Sequence, residues 1–164
     1  NLASGLDIQV GIKNNTSGSI ETLIQSVYAV SHSKYFWFNN NQVYTQGNKN
    51  VNIVLRGYKD SKGAFQSNFS DDKLDEVIRE CDKLGLQKPF IMVDCAHANS
   101  AKDIDVEISN ALSVVKNRRV NGIMIESYLY GGVIDYEYGT SKTDPCLDWN
   151  TTERLIIDIY KLLP

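Results

Sequence analysis

Several features are missing from this chain of 164 residues. No run approaches the roughly 18 apolar residues that a membrane span needs, and no transmembrane segment is expected. The amino terminus, Asn1-Leu2-Ala3-Ser4-Gly5, has neither the basic start nor the apolar core of a signal peptide. It also lacks an initiator Met, which suggests a chain beginning inside a longer protein; Leu2 to Leu6 then reads as the end of a helix with Gly5 as its C-cap. Charge of neither sign dominates: 17 basic and 20 acidic residues leave a net charge of -3. Neither a nucleic-acid footprint nor a polybasic membrane patch is indicated, and the partner is expected to be small. The three cysteines, Cys81, Cys95 and Cys146, show no CxxC or zinc-finger spacing. This argues against a disulfide scaffold and fits the reducing cytoplasm. The sequons at Asn14, Asn15, Asn68 and Asn150 are the triplets an Asn-rich chain produces by chance. Low-complexity stretches, composition breaks and sequence repeats are absent, so residues 1–164 read as part of one domain, short for any large closed barrel.

What is present is a recurring order of strand and helix. DIQVGIK (Asp7 to Lys13) is the first strand, and Ile20, Leu23, Ile24, Val27 and Tyr28 fall at helical spacing between Ile20 and Val30. Lys34 to Phe38, Gln42 to Thr45 and Val51 to Arg56 read as strands, the last being the strongest, and Gly57 to Asn68 as an irregular loop. A helix is predicted from Asp71 to Leu84, with Ser70 as N-cap and Gly85 just past its end. The third unit is a strand from Pro89 to Cys95 and a helix from Asp103 to Lys116. The fourth is Val120 to Tyr128, a Gly- and Tyr-rich loop over 129–148, and a helix from Thr151 to Leu163 capped by Asn150 or Thr151. Four βα units in series predict an α/β fold: a parallel sheet with helices outside it.

In such folds ligands bind at the carboxyl ends of the strands. Each unit carries a capable residue there: Lys13, Arg56, His97 and Glu126. Lys13 and Arg56, with the loop 14–19 leading into a helix amino terminus, suit a phosphate or carboxylate. His97 and Glu126, with an acid of the last long loop, have the ligand types of a divalent transition-metal site. Each residue also has a plainer reading. A lone His after a strand is more often a hydrogen-bonded structural residue than a ligand, and an isolated Lys or Arg is most often a solvated charge. Cys95 and Cys146 read more readily as small buried hydrophobes than as soft ligands. Asp60, Asp71, Asp72 and the helical charges read as solvated faces.

The blocks VGIKNNTSGSI (10–20), VLRG (54–57), DCAHANS (94–100), GIMIESYL (122–129) and GTSKTDPCLDW (139–149) resemble, in order and spacing, successive blocks of the class I, microbial-type 3-deoxy-D-arabino-heptulosonate 7-phosphate (DAHP) synthases. The resemblance covers the chain nearly end to end but only the carboxy-terminal half of the family chain. It implies the second half, four βα units, of an aldolase-type (β/α)8 TIM barrel that needs a companion segment or chain to close. The implied activity is the metal-dependent condensation of phosphoenolpyruvate with erythrose 4-phosphate, the first step of the shikimate pathway toward chorismate and the aromatic amino acids. Lys13 and Arg56 then resemble ligands of the phosphoenolpyruvate phosphate. His97, Glu126 and Asp144 resemble three protein ligands of a divalent metal, manganese, iron, cobalt or zinc. A cytoplasmic homo-oligomer is implied, with inhibition by an aromatic amino acid in many members.

Departures from the family pattern surround these residues without replacing them: Asn15 stands where the family has Gly, Ala96 where it has Ser, and the acidic, amide-bearing stretch after Glu126 is changed. The family's upstream metal-binding cysteine and further arginines have no counterpart here. Two other readings compete: a non-catalytic half-barrel paralogue acting as a binding or regulatory partner, and a synthase of the 3-deoxy-D-manno-octulosonate 8-phosphate type that uses arabinose 5-phosphate.

Overall fold

The computed structural model describes residues 1–86, 89–133 and 137–163; positions 134–136 of the long loop lie outside the described residues. In chain order the elements are β1 (Val10–Lys13), α1 (Ile20–Ser31), β2 (Lys34–Phe38), β3 (Asn41–Thr45), β4 (Val51–Leu55), β5 (Tyr58–Lys59) and β6 (Phe65–Gln66). They continue with α2 (Asp71–Lys83), β7 (Ile91–Asp94), α3 (Ile104–Val114), β8 (Gly122–Met124) and α4 (Trp149–Leu162). Four strands form a parallel sheet in the order β1-β4-β7-β8. The registers Lys13↔Val54, Leu55↔Val93 and Asp94↔Met124 bring the carboxyl ends of all four to one rim.

Strand alternation decides which face is covered. Ile53, Leu55, Ile91, Val93 and Cys95 point to one face and are buried there under the helices. Ile20, Leu23, Ile24 and Val27 of α1 and Leu74, Val77 and Cys81 of α2 fill one cluster. Ala111 and Val114 of α3, Leu155 of α4 and Leu147 fill the other. Lys13, Asp94 and Met124, in the opposite phase, share the second face.

The strands are shorter than their apolar runs because side chains take over the backbone groups at their ends. The Arg56 N–H donates to Asn14 and the Glu126 N–H to Glu107, so neither extends the ladder. The predicted irregular loop 57–68 contains the two-residue ribbon β5–β6, closed by Asp60, whose Oδ1 accepts the N–H groups of Lys62 and Ala64. Asp60 is thus a half-buried turn-former, and these bonds lower its pKa. Asp71 likewise pairs with Arg119.

Ser70 caps α2 as expected, and Gly85 follows it at φ 67, in the left-handed region glycine favours. The cap of α4 is Asp148 rather than Asn150 or Thr151: its Oδ1 accepts the Thr151 N–H at 2.8 Å. The capping side chain must precede its donor by two or three residues, and Asp148 has the extended backbone this requires. Leu2–Gly5 is a single 3-10 turn closed by Leu6, so Gly5 is not an α-helix C-cap. It serves close packing instead, since a Cβ there would lie 2.8 Å from Thr45 Cγ2. No helix among the described residues is long and apolar enough to cross a membrane.

Candidate metal centre

The loops after β1, β4, β7 and β8 converge at the rim, and buried amides hold them together. Asn14 follows Lys13 and reaches the next strand: its Oδ1 accepts the Arg56 N–H at 2.7 Å and its Nδ2 donates to the Arg56 carbonyl at 2.9 Å. The two candidate phosphate cations are therefore fixed on adjacent strands through one side chain. Arg56 Nε is buried with no hydrogen-bond partner among the described residues. Such an orphan donor costs about 1–3 kcal/mol and is available to an anion. At the start of α1 the Ser19 hydroxyl accepts the Thr22 N–H, so that helix terminus already uses one donor internally.

His97 begins a single 3-10 turn after β7 and has φ 53; Ala101 and Lys102 have φ 54 and 65. Left-handed backbone at non-glycine residues costs on the order of 1–3 kcal/mol each and persists where the surroundings impose it. Asn99 and Asn110 impose it here. Asn99 Nδ2 donates to the Asp94 carbonyl at 2.7 Å and the Leu55 carbonyl at 3.2 Å, and its Oδ1 accepts the Asn68 N–H at 2.9 Å. Asn110 of α3 donates to the carbonyls of Cys95 and Asn99. Gly57 permits the approach, because a Cβ on it would lie 2.2 Å from Asn99 N.

The imposed turn aims the imidazole between two carboxylates. His97 Nε2 is 3.0 Å from Glu126 Oε1, and Nδ1 is 2.9 Å from Asp94 Oδ2. Asp144 enters from the last loop, which the Leu147 N–H ties to the Glu126 carbonyl at 2.9 Å. One ligand atom from each of His97, Glu126 and Asp144 lies within 4.8 Å of the others. Ligands held about 2.1 Å from one ion are at most ~4.2 Å apart, so a small side-chain adjustment closes this set on a metal. An imidazole with two carboxylates suits manganese, iron, cobalt or zinc, and the residues present fit such an ion.

Further charges stand behind and beside these three. Lys13 Nζ is 2.6 Å from Asp94 Oδ2, and Lys102 Nζ is 2.6 Å from Asp144 Oδ1. Glu107 of α3, 2% exposed, accepts the Glu126 N–H at 2.7 Å. Burial pushes its carboxyl up to about 7. The cysteines are not in the candidate ligand set, although Cys146 Sγ donates to the Asp144 carbonyl at 3.5 Å. All three are buried and free, and burial raises the thiols of Cys81 and Cys95 to about 11 and about 12, keeping them protonated.

The family model described as the DAHP synthetase I family matches residues 1–156. The chain belongs to this family. A Tyr-sensitive phospho-2-dehydro-3-deoxyheptonate aldolase of Salmonella typhimurium is 36% identical over 177 residues, covering 98% of this chain and 48% of that protein. A phenylalanine-inhibited one of Saccharomyces cerevisiae is 32% identical, covering 94% and 46%. The solved structure of a phospho-2-dehydro-3-deoxyheptonate aldolase from Francisella tularensis matches with a TM-score of 0.85 and 30% identity, over 99% of this chain and 50% of that one. The chain thus spans about half the length of these DAHP synthetase relatives.

Of the five residues singled out in the sequence, His97, Glu126 and Asp144 meet directly, and Lys13 joins them through Asp94. Arg56 is tied to the Lys13 strand end through Asn14. Asp94, Lys102 and Glu107 were missed. Two of the three leave a trace: Asp94 is an acid ending an apolar strand in phase with Lys13, and Glu107 is an acid within the helical stripe of Ile104, Ile108 and Ala111. Lys102 leaves none, since only the left-handed turn brings it to Asp144.

Proposed function

We propose that this chain is the carboxy-terminal half of a (β/α)8 barrel and, with the other half, catalyses the metal-dependent condensation of phosphoenolpyruvate with erythrose 4-phosphate to DAHP, acting in the cytoplasm. Family membership supports the reaction class. The observation that carries the reading is the meeting of His97, Glu126 and Asp144 within 4.8 Å beside the ends of the two adjacent strands that bear Lys13 and Arg56. A bound divalent ion supplies Lewis-acid polarisation of the aldehyde or of a water. Lys13 and Arg56 hold the phosphate of phosphoenolpyruvate, a contribution of orientation. The carbon nucleophile is the enol ether itself, so no Ser or Cys nucleophile is needed.

The need for a companion rests on the sheet and on α4. Among the described residues β1 and β8 are both edge strands with no partner on their outer side. Trp149, Ile156 and Tyr160 form an exposed apolar stripe along α4, the last 78% exposed. A further half-barrel would cover both, and the complete enzyme is expected to be a homo-oligomer. The alternative, a non-catalytic binding partner, rests on the changes around the candidate ligands, Asn15 and Ala96 among them.

The test is phosphate release from phosphoenolpyruvate by this chain assembled with its other half, with erythrose 4-phosphate or arabinose 5-phosphate, with and without chelator. Release with erythrose 4-phosphate that chelator abolishes is expected. Release only with arabinose 5-phosphate moves the substrate class, and no release with either aldehyde ends the enzyme reading.

A further inference from the structure

Behind the three candidate ligands lies Asp94, a carboxylate with 0% exposure that ends β7. A buried carboxylate is costly unless its charge is compensated, and three groups compensate this one. The Ala96 N–H donates to Oδ1 at 3.1 Å, while Lys13 Nζ at 2.6 Å and His97 Nδ1 at 2.9 Å both crowd Oδ2. The contacts to Oδ2 have ion-pair distances but lie off the line of an aligned hydrogen bond, leaving Asp94 Oδ2 and His97 Nδ1 room to tighten.

We propose that Asp94 is a positioning residue: it holds His97 with the proton on Nδ1 and Nε2 turned to the metal, and through the same oxygen ties this ring to Lys13. The proposal rests on the reading of His97 as a metal ligand. An imidazole binds a metal through an unprotonated nitrogen, and the hydrogen bond at the other nitrogen decides which one is free. Of the two ring nitrogens, Nδ1 faces Asp94, and Nε2 faces Glu126 in the candidate ligand set. A lone pair on Nδ1 would oppose the Asp94 charge, so the proton belongs there. Because Lys13 shares that oxygen, the phosphate cation and the metal ligand are coupled through one side chain.

The experiment measures Mn2+ affinity by electron paramagnetic resonance on the assembled protein. Asp94→Asn is expected to weaken Mn2+ binding by about 10–100-fold, the usual effect of losing such an outer partner. The effects of Asp94→Asn and Lys13→Met are expected to be non-additive by about threefold or more. In the chelated wild-type protein, 15N shifts of His97 should show a protonated Nδ1, a readout that survives even if Asp94→Asn fails to fold. Unchanged Mn2+ affinity in a folded Asp94→Asn, or an unprotonated Nδ1 in the wild type, overturns the proposal. Wild-type Mn2+ binding that His97→Ala leaves intact would instead sink the metal-centre reading itself. Binding that His97→Ala abolishes and Asp94→Asn spares sinks only the role of Asp94.

Discussion

At His97 the backbone and the ring make opposite demands. Its φ of 53 is unfavourable for a side chain with a Cβ, yet only this turn places the imidazole between Asp94 and Glu126. His97→Ala keeps the strained backbone and removes the ring, so we expect a thermal-denaturation change of about 1 kcal/mol or less with loss of metal-dependent turnover. A structural histidine would show the reverse. Glu107 carries a pH signature. Burial raises its carboxyl from 4.5 to about 7, so between those values the folded protein holds a proton that the unfolded chain releases. Its contribution to stability is therefore full below the lower value and is lost as pH rises through the upper one. Glu107→Gln keeps an acceptor for the Glu126 N–H and removes this loss. In chelator, the melting temperature of the variant should exceed that of the wild type at about pH 8 and converge with it near the unperturbed carboxylate pKa. Parallel curves would show that Glu107 ionises freely.

The loops at the strand ends are held by amides and by glycine at close contacts. Gly57 and Gly85 separate these roles. A Cβ on Gly57 would strike the backbone of Ala98 and Asn99, whereas one on Gly85 meets nothing within 4 Å among the described residues and is strained by φ 67. Gly85→Ala should cost about 1 kcal/mol in denaturant titration and leave Mn2+ affinity unchanged. Gly57→Ala must displace the turn bearing His97, and should cost about 1–3 kcal/mol together with a fall in Mn2+ affinity. Equal Mn2+ affinity in the two variants would show that the turn tolerates the shift. The α4 cap illustrates the same scale: Asp148 binds both the N–H and the hydroxyl of Thr151, and these bonds hold its carboxyl below the usual range. The cap anchors the helix at the carboxyl end of the loop that delivers Asp144.

For the whole molecule the governing fact is an open sheet. Among the described residues all four helices cover one face, while β1 and β8 have no partner on their outer edges and α4 keeps an exposed apolar stripe. Backbone donors and apolar area left in this state favour association. Purified alone, the chain should elute as oligomer or aggregate in size-exclusion chromatography with light scattering. A monomer with one cooperative thermal transition would show that four βα units suffice.

The sequence by itself determined the order of βα units, the cap of α2 and four of the five site residues found at strand ends, because these depend on local periodicity and on residues within a turn of one another. Its resemblance to a known family supplied Asp144 as the third metal-ligand candidate from the long loop. Tertiary structure alone decided that Asp94 faces both Lys13 and His97, that Lys102 reaches Asp144, and that Glu107 supports Glu126. Those contacts join residues 3 to 81 positions apart in the chain, and their geometry depends on strand register and on a left-handed turn that side-chain amides, not local propensity, hold in place. A histidine in a strand-end motif is legible as a candidate; the direction in which its two nitrogens point is a property of the folded rim.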